Sequence, residues 1–467
     1  MTEPRDPIES WLSTDVELLS PPPGAFQAVA RRARRRKVLR AASSVAGAAV
    51  IIAGVAVLPR IASGIFSGQT GPARVVVPSS QSSGTLPGHR TANPWPRTSS
   101  PVSLPASHGP ALSSVGTGAG PAAGFRPSSV TFVGTSLGAV IGEAGSSCGA
   151  GPCVVAAGTP DYGRRWYKIG SPAAGPPSGS TGVSQIRFLD PVNGWAYGPA
   201  LYATHNGGVT WKAVDLPGRV IDLSTVSGRA FAVVATCAGN GPDYAAQCTS
   251  FALYSAPSAS DQWRRVRGAA AALVAVPGGL QLTRSQGYVL AGGHLFTGPV
   301  TGGAWHQVRV TQPGAPPCLL GGQNQAAGQR PALIAPAGSE LFLACAGSSA
   351  SPASSAGQPG PLTLYLSADS GQAWQAQGTI AAHGTATSLA AIPGAAIVLA
   401  TTSGLYYSYD ARHWQQGTIA GGAPQGGFRF VGMTNAQQGV AVPSDSGGHR
   451  LFITGDGGRT WQPSPIG

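Results

Sequence analysis

From about Ser128 to the end of the chain, short apolar or alternating runs are separated by Gly, Pro, Asn and Asp. This is the texture of strands and tight turns. The stretch IRFLDPVNGWAYGPALYATHNGGVTWKAV predicts four strands, at Ile186–Leu189, Gly194–Gly198, Leu201–Thr204 and Thr210–Val214. VTFVGTSLGAVIG from Val130 and FRFVGMTNAQQGVAVP from Phe428 restate its first half. SLAAIPGAAIVLATTSGLYYSYDARHW gives another four-strand unit. Trp166, Trp211, Trp263, Trp305, Trp374, Trp414 and Trp461 follow one another at separations of 45, 52, 42, 69, 40 and 47 residues. Repeats of this period cannot bury their faces alone and must stack on their neighbours. Four strands repeated seven times predicts an all-β, seven-bladed β-propeller of four-stranded blades.

A short string precedes each of these tryptophans. Thr159 to Trp166, Thr204 to Trp211, Ser367 to Trp374 and Thr454 to Trp461 share one spacing, with Asp161, Asn206, Asp369 and Asp456 at the third position. Ser408 to Trp414 is one residue shorter and keeps Asp410. The strings ending at Trp263 and Trp305 are degenerate, each one residue longer and without the acid at its usual place. A side-chain oxygen at the third position can accept backbone N–H groups farther along, glycine allows positive φ, and tryptophan can plug the gap between two sheets. The string resembles the Asp-box, or BNR, repeat, and over about 340 residues the chain resembles Asp-box propellers. That resemblance implies the propeller fold, shared with sialidases, some glucan hydrolases, sortilin-type receptors and photosystem II assembly factors. It implies a structural role for the box acids. FLDPVNGWAYG is most similar to the non-catalytic assembly-factor type, also widespread on bacterial surfaces. The Ala/Gly/Pro/Arg-rich composition resembles that of high-GC, actinobacterial chains.

The N-terminal part reads differently. Residues 31–40 carry seven positive charges and no negative one, and the next eighteen residues, Ala41 to Leu58, carry none at all. That run suffices, with its flanks, for one transmembrane helix over 38–59. The positive-inside rule puts residues 1–37 in the cytoplasm and the rest outside. A cleaved leader, with a faint twin-arginine echo in RRRKVLR, is the alternative. Residues 60–125 are Pro/Ser/Gly-rich without an acidic residue and read as a disordered linker, leaving 126–467 for the propeller. The formal charge of +13 comes largely from the basic run, since residues 126–467 hold 18 Lys/Arg against 12 Asp/Glu. No nucleic-acid partner is therefore expected. In an exported chain the six cysteines read as three local disulfides, Cys148–Cys153, Cys237–Cys248 and Cys318–Cys345.

Chemistry is sparse. A sialidase would need an arginine cluster, a Tyr nucleophile with an acidic partner and a Phe/Tyr-Arg-Ile-Pro string; GFRPSS at Gly124 and GFRFVG at Gly427 lack the Ile-Pro. Other glycosidases need two placed carboxylates. With box and turn acids set aside, Glu143, Asp215, Asp222, Asp243, Glu340 and Asp445 remain, and they form no evident pair. His205, His294, His306, His383, His413 and His449 are scattered. The expectation is a non-catalytic, membrane-tethered, extracytoplasmic binding or scaffold propeller, monomeric and without metal or cofactor. Its ligand, a protein or a glycan, would lie on the face opposite the boxes, where the cysteines and the longest connections fall. The alternative is a degenerate glycoside-binding or glycoside-hydrolysing propeller, in which Glu143 or Glu340 would act.

Overall fold

The computed structural model describes residues 112, 120–121, 124–144, 153–177, 181–238, 248–272, 279–291, 293–310, 314–319, 333–346, 361–445 and 448–466. The expected cytoplasmic segment, the membrane helix and almost all of the linker lie outside these residues. Among the described residues no helix is long and apolar enough to cross a membrane.

Seven antiparallel sheets follow one another along the chain, each in simple strand order. Blade 1 spans 125–168, blade 2 185–213, blade 3 219–272, blade 4 279–307, blade 5 333–380, blade 6 386–416 and blade 7 428–465. Neighbours in sequence pack face to face, and blade 7 returns against blade 1. The second strands explain why the blades stack. Leu137–Ala144, Arg229–Cys237, Glu340–Ala346, Ile397–Thr401 and Gly439–Pro443 are nearly continuous apolar runs, covered on both faces by adjacent sheets. The core is correspondingly divided into seven clusters, one per blade junction. Each holds or borders one of the seven repeating tryptophans.

Among the described residues ring closure uses no shared sheet. Phe125, Val130, Val140 and Trp166 of blade 1 pack on Val440, Val442, Leu451 and Ile466. The His449 ring lies 2.7 Å (Nδ1) from the Phe125 carbonyl, and its own carbonyl accepts the Ile466 N–H at 2.7 Å. Tyr162 Oη donates to the Gly439 carbonyl at 2.9 Å.

Two features depart from the expectation. Blade 7 has a fifth strand, Thr418–Ile419, parallel to Thr460–Pro465 at its outer edge. The linker expected over 60–125 is not wholly free of the propeller: Leu112 is fully buried between blades 1 and 2, among Ile141, Ala156, Ile169 and Phe188, and its N–H donates to the Pro191 carbonyl at 3.0 Å. A lone leucine in a polar stretch carries no periodicity, so nothing in the sequence marks it.

Candidate ligand-binding face

The repeated turns all join the third and fourth strands, so they crowd one face of the ring, called here the box face. In Thr454–Trp461 the Thr454 hydroxyl donates to Asp456 Oδ1 at 2.8 Å and accepts the Gly458 N–H at 3.1 Å. Asp456 Oδ1 then accepts the Thr460 N–H at 2.9 Å. Asp161 and Asp369 accept Arg165 and Ala373 in the same way, each at 2.9 Å, and Asn206 accepts Thr210 at 3.0 Å. In the shorter turn Asp410 accepts Arg412 and His413 N–H groups at 2.9 and 2.8 Å. Glycine at the fifth place of the four eight-residue turns answers a positive φ, and at Gly371 close packing as well. Gly371 has φ +95°, and a Cβ there would stand 2.4 Å from Leu295 of the preceding blade.

These contacts fix the carboxylates as anions. The N–H of His413 is the main reason Asp410 sits below the usual carboxylate range. For Asp161, Asp369 and Asp456, burial pulls upward, but accepted hydrogen bonds outweigh it and the net shift is downward. The indole N–H groups of Trp374 and Trp461 donate to Gly371 and Gly458 carbonyls at 2.8 and 3.0 Å, and that of Trp211 to Gly170 at 2.8 Å. Trp166 donates to the Ser464 hydroxyl at 3.3 Å. The buried indole nitrogens of Trp263 and Trp305, in the degenerate turns, have no hydrogen-bond partner among the described residues. Trp414 is half-buried beside the blade 5–blade 6 cluster.

The opposite, box-free face is built from the entrances of the first strands and the connections between second and third strands. In blades 1, 3, 6 and 7 a β-bulge near the entrance sets one residue out of the ladder: Ser128, Ile221, Thr387 and Arg429. The Ser128 hydroxyl reaches the Ile141 carbonyl of its own blade (3.1 Å) and the Ser184 carbonyl before blade 2 (2.6 Å). Thr387 likewise reaches Ala400 (3.0 Å) and Phe428 of blade 7 (2.6 Å). One step on, Ser129 accepts the Ile186 N–H at 3.2 Å and Asp222 accepts the Leu280 N–H at 2.6 Å. Innermost strands lack a neighbour on the channel side, and these side chains tie each to the next blade. Asp222 is thus a positioned acceptor. Burial pushes its carboxyl up, while the Leu280 and Leu223 N–H groups and the Arg187 charge oppose that shift. Burial lifts the neighbouring Tyr197 phenol to about 12.

At the bulge of blade 7 the place of a hydroxyl is taken by Arg429, whose Nε donates to the Pro443 carbonyl at 2.8 Å. Its side chain is exposed overall, but desolvation of the guanidinium lowers its pKa, and the carboxylates of Asp445 and Glu143 act against that. Arg126 lies opposite Glu143 in blade 1, Arg187 is in the first strand of blade 2, and Arg219 opens blade 3. Arg126 and Arg429 are exposed, Arg187 is half-buried and Arg219 is buried. The first strands of blades 4, 5 and 6, Gly279–Leu282, Leu333–Ala337 and Ala386–Ala391, carry no charge. The ionisable groups of the first strands therefore fall on blades 7, 1, 2 and 3. In the sequence these arginines stand in the short strings FRP, IRF, GRV and FRF, each overlapping a first strand.

Other candidates are not brought together. Glu143 lies near the box-free end of the second strand of blade 1, whereas Glu340 begins that of blade 5 at the box face. No pair of acids at glycosidase spacing arises from these two. Cys237–Cys248 and Cys318–Cys345 are bridged. The first closes the connection between second and third strands of blade 3, and the second pins the turn Pro317–Leu319 to blade 5. Cys148, expected to pair with Cys153, lies outside the described residues. Among the described residues no group of three His, Cys, Asp or Glu side chains could hold a metal ion. A shallow cavity of about 320 Å³ lies beside blade 2, lined by Pro199, Tyr202, Val214, Asp215 and Leu216 among others.

No family model matches the chain, and no curated protein matches it. Solved propellers do. YCF48 bound to a D1 peptide is 14% identical, with 62% of this chain and 82% of that chain covered and a TM-score of 0.39. The Niastella koreensis GH74 enzyme is 10% identical, covering 73% and 65%, with a TM-score of 0.35. PorZ, a surface component of the type-IX secretion system of Porphyromonas gingivalis, is 14% identical, covering 74% and 39%, with a TM-score of 0.44. At such identities the likeness is one of fold alone.

Proposed function

We propose that the protein is a non-catalytic Asp-box binding propeller, held to the membrane by the helix expected over 38–59 and displayed outside the cell. It takes a ligand bearing acidic groups, a protein segment or an envelope polymer, on the box-free face over blades 7, 1 and 2. The observation that carries this reading is the placing of Arg429 and Arg126 at the entrances of adjacent first strands, with Arg187 deeper along that of blade 2, beside three uncharged strands. Arginine presents a planar fork of donors suited to carboxylate and phosphate. The box acids are committed to backbone N–H groups, which supports binding over hydrolysis.

Capture from envelope extracts by the full chain tests this. An Arg126→Ala, Arg429→Ala double variant should bind the captured partner about tenfold or more weakly, the equivalent of about 1.4 kcal/mol. Unchanged capture would remove the proposed face. Release of sugar from envelope glycans by the full chain, lost on Glu143→Gln, would replace binding with hydrolysis.

A further inference from the structure

On the box face the second residue of a turn can reach the following blade. Tyr409, second in Ser408–Trp414, donates its hydroxyl to the Asp456 carbonyl of blade 7 at 3.2 Å. His205, second in Thr204–Trp211, reaches blade 3 instead, with Nε2 3.3 Å from Asp261 Oδ1. Its Nδ1 is 2.8 Å from Asn193 Oδ1. The Asn193 amide is held that way round because its Nδ2 donates to Asp190 Oδ2 at 2.9 Å. Both ring nitrogens therefore face acceptors. A neutral imidazole has one N–H and can satisfy only one of them; the imidazolium satisfies both.

Charge around the ring points the same way. Asp261 faces it from the blade 3 turn, Asp190 stands behind Asn193 in the first connection of blade 2, and the turn Thr204–Trp211 adds no charge of its own. His205 and Asp261 side chains are 36% and 25% exposed, so protons exchange freely with solvent. The blade 3 turn is a degenerate one, and its acid, displaced from the box position, serves the neighbouring blade. We propose that His205 and Asp261 form an acid-closed latch across the blade 2–blade 3 junction: protonation ties the two turns by a charge-assisted bond, and deprotonation weakens that tie because the one remaining N–H must serve either Asp261 or Asn193. Histidine is the side chain whose charge ordinarily changes between pH 5 and 8. The latch does not depend on what binds the opposite face.

Amide hydrogen exchange on the full chain, corrected for the intrinsic pH effect, tests it at pH 5.5 and 7.5. Residues 258–263 should be about two- to fivefold better protected at the lower pH, the range expected of an exposed ion pair. His205→Gln and Asp261→Asn should each abolish that difference, while amides of blades 5–7 report that the ring is intact. Equal protection of wild type at both pH values, or a difference that persists in His205→Gln, would overturn the latch.

Discussion

The four complete turns of one spacing and the two degenerate ones hold the same kind of tryptophan in the same kind of junction, yet they treat its N–H differently. Trp374 and Trp461 donate to the carbonyl of a glycine in their own turn, Trp211 to a glycine of the preceding connection, and Trp166 to a serine of blade 7. Trp263 and Trp305 are plugs without a partner for the indole nitrogen among the described residues. The hydroxyl, the Asp or Asn, and the glycine of such a turn thus do more than reverse the chain. They fold it so that a carbonyl or hydroxyl meets the buried indole. Where the string lengthens and loses its acid, apolar burial still holds the junction, and the polar part of the fit is lost.

Removing the plug should have the largest effect. Trp461 is fully buried between blades 6 and 7, and Trp461→Ala should cost about 3–5 kcal/mol, read by urea unfolding. Conservative replacement separates the two classes of turn. Trp461→Phe gives up a hydrogen bond and Trp305→Phe does not, so the first should cost about 1 kcal/mol more than the second. If the two costs are equal, the indole bond has no energetic weight. The smallest effect is a pH dependence. Asp161, Asp369, Asp410 and Asp456 have folded pKa values below the ordinary one. Their contribution is present above about pH 4 and fades as pH falls through the lower folded values. Replacing all four with Asn, the residue blade 2 already uses at position 206, should keep the turns and flatten the acid limb of a melting-temperature profile.

Much of this was legible. Tryptophan spacing marked seven blades because each junction needs one bulky plug at a fixed place in the repeat, and that need survives even where the turn decays. The continuous apolar second strands were readable for the same reason. What the sequence hid depends on single residues whose partners are far away in the chain. Leu112 is one leucine in a Pro/Ser/Gly-rich stretch, and its socket is assembled from two blades. Thr418–Ile419 is too short to show any alternation. Arg429 stands where blades 1 and 6 have Ser128 and Thr387, an equivalence visible only once the bulges align the strands. The candidate face was legible as a place and not as a chemistry. Cysteines and connection lengths pointed to it, but which arginines would meet there is set by the ring.

His449 holds the first and last strands of the ring together, its ring beside the Phe125 carbonyl and its own carbonyl on Ile466. Because every blade is made from one contiguous stretch of chain, none depends on a strand borrowed from the other end. The ring is therefore topologically indifferent to where the chain is cut. A gene rearranged to begin at the connection before blade 3, with residues 466 and 112 joined by a short linker so that Leu112 keeps its socket, would encode the same seven junctions in a new order of synthesis.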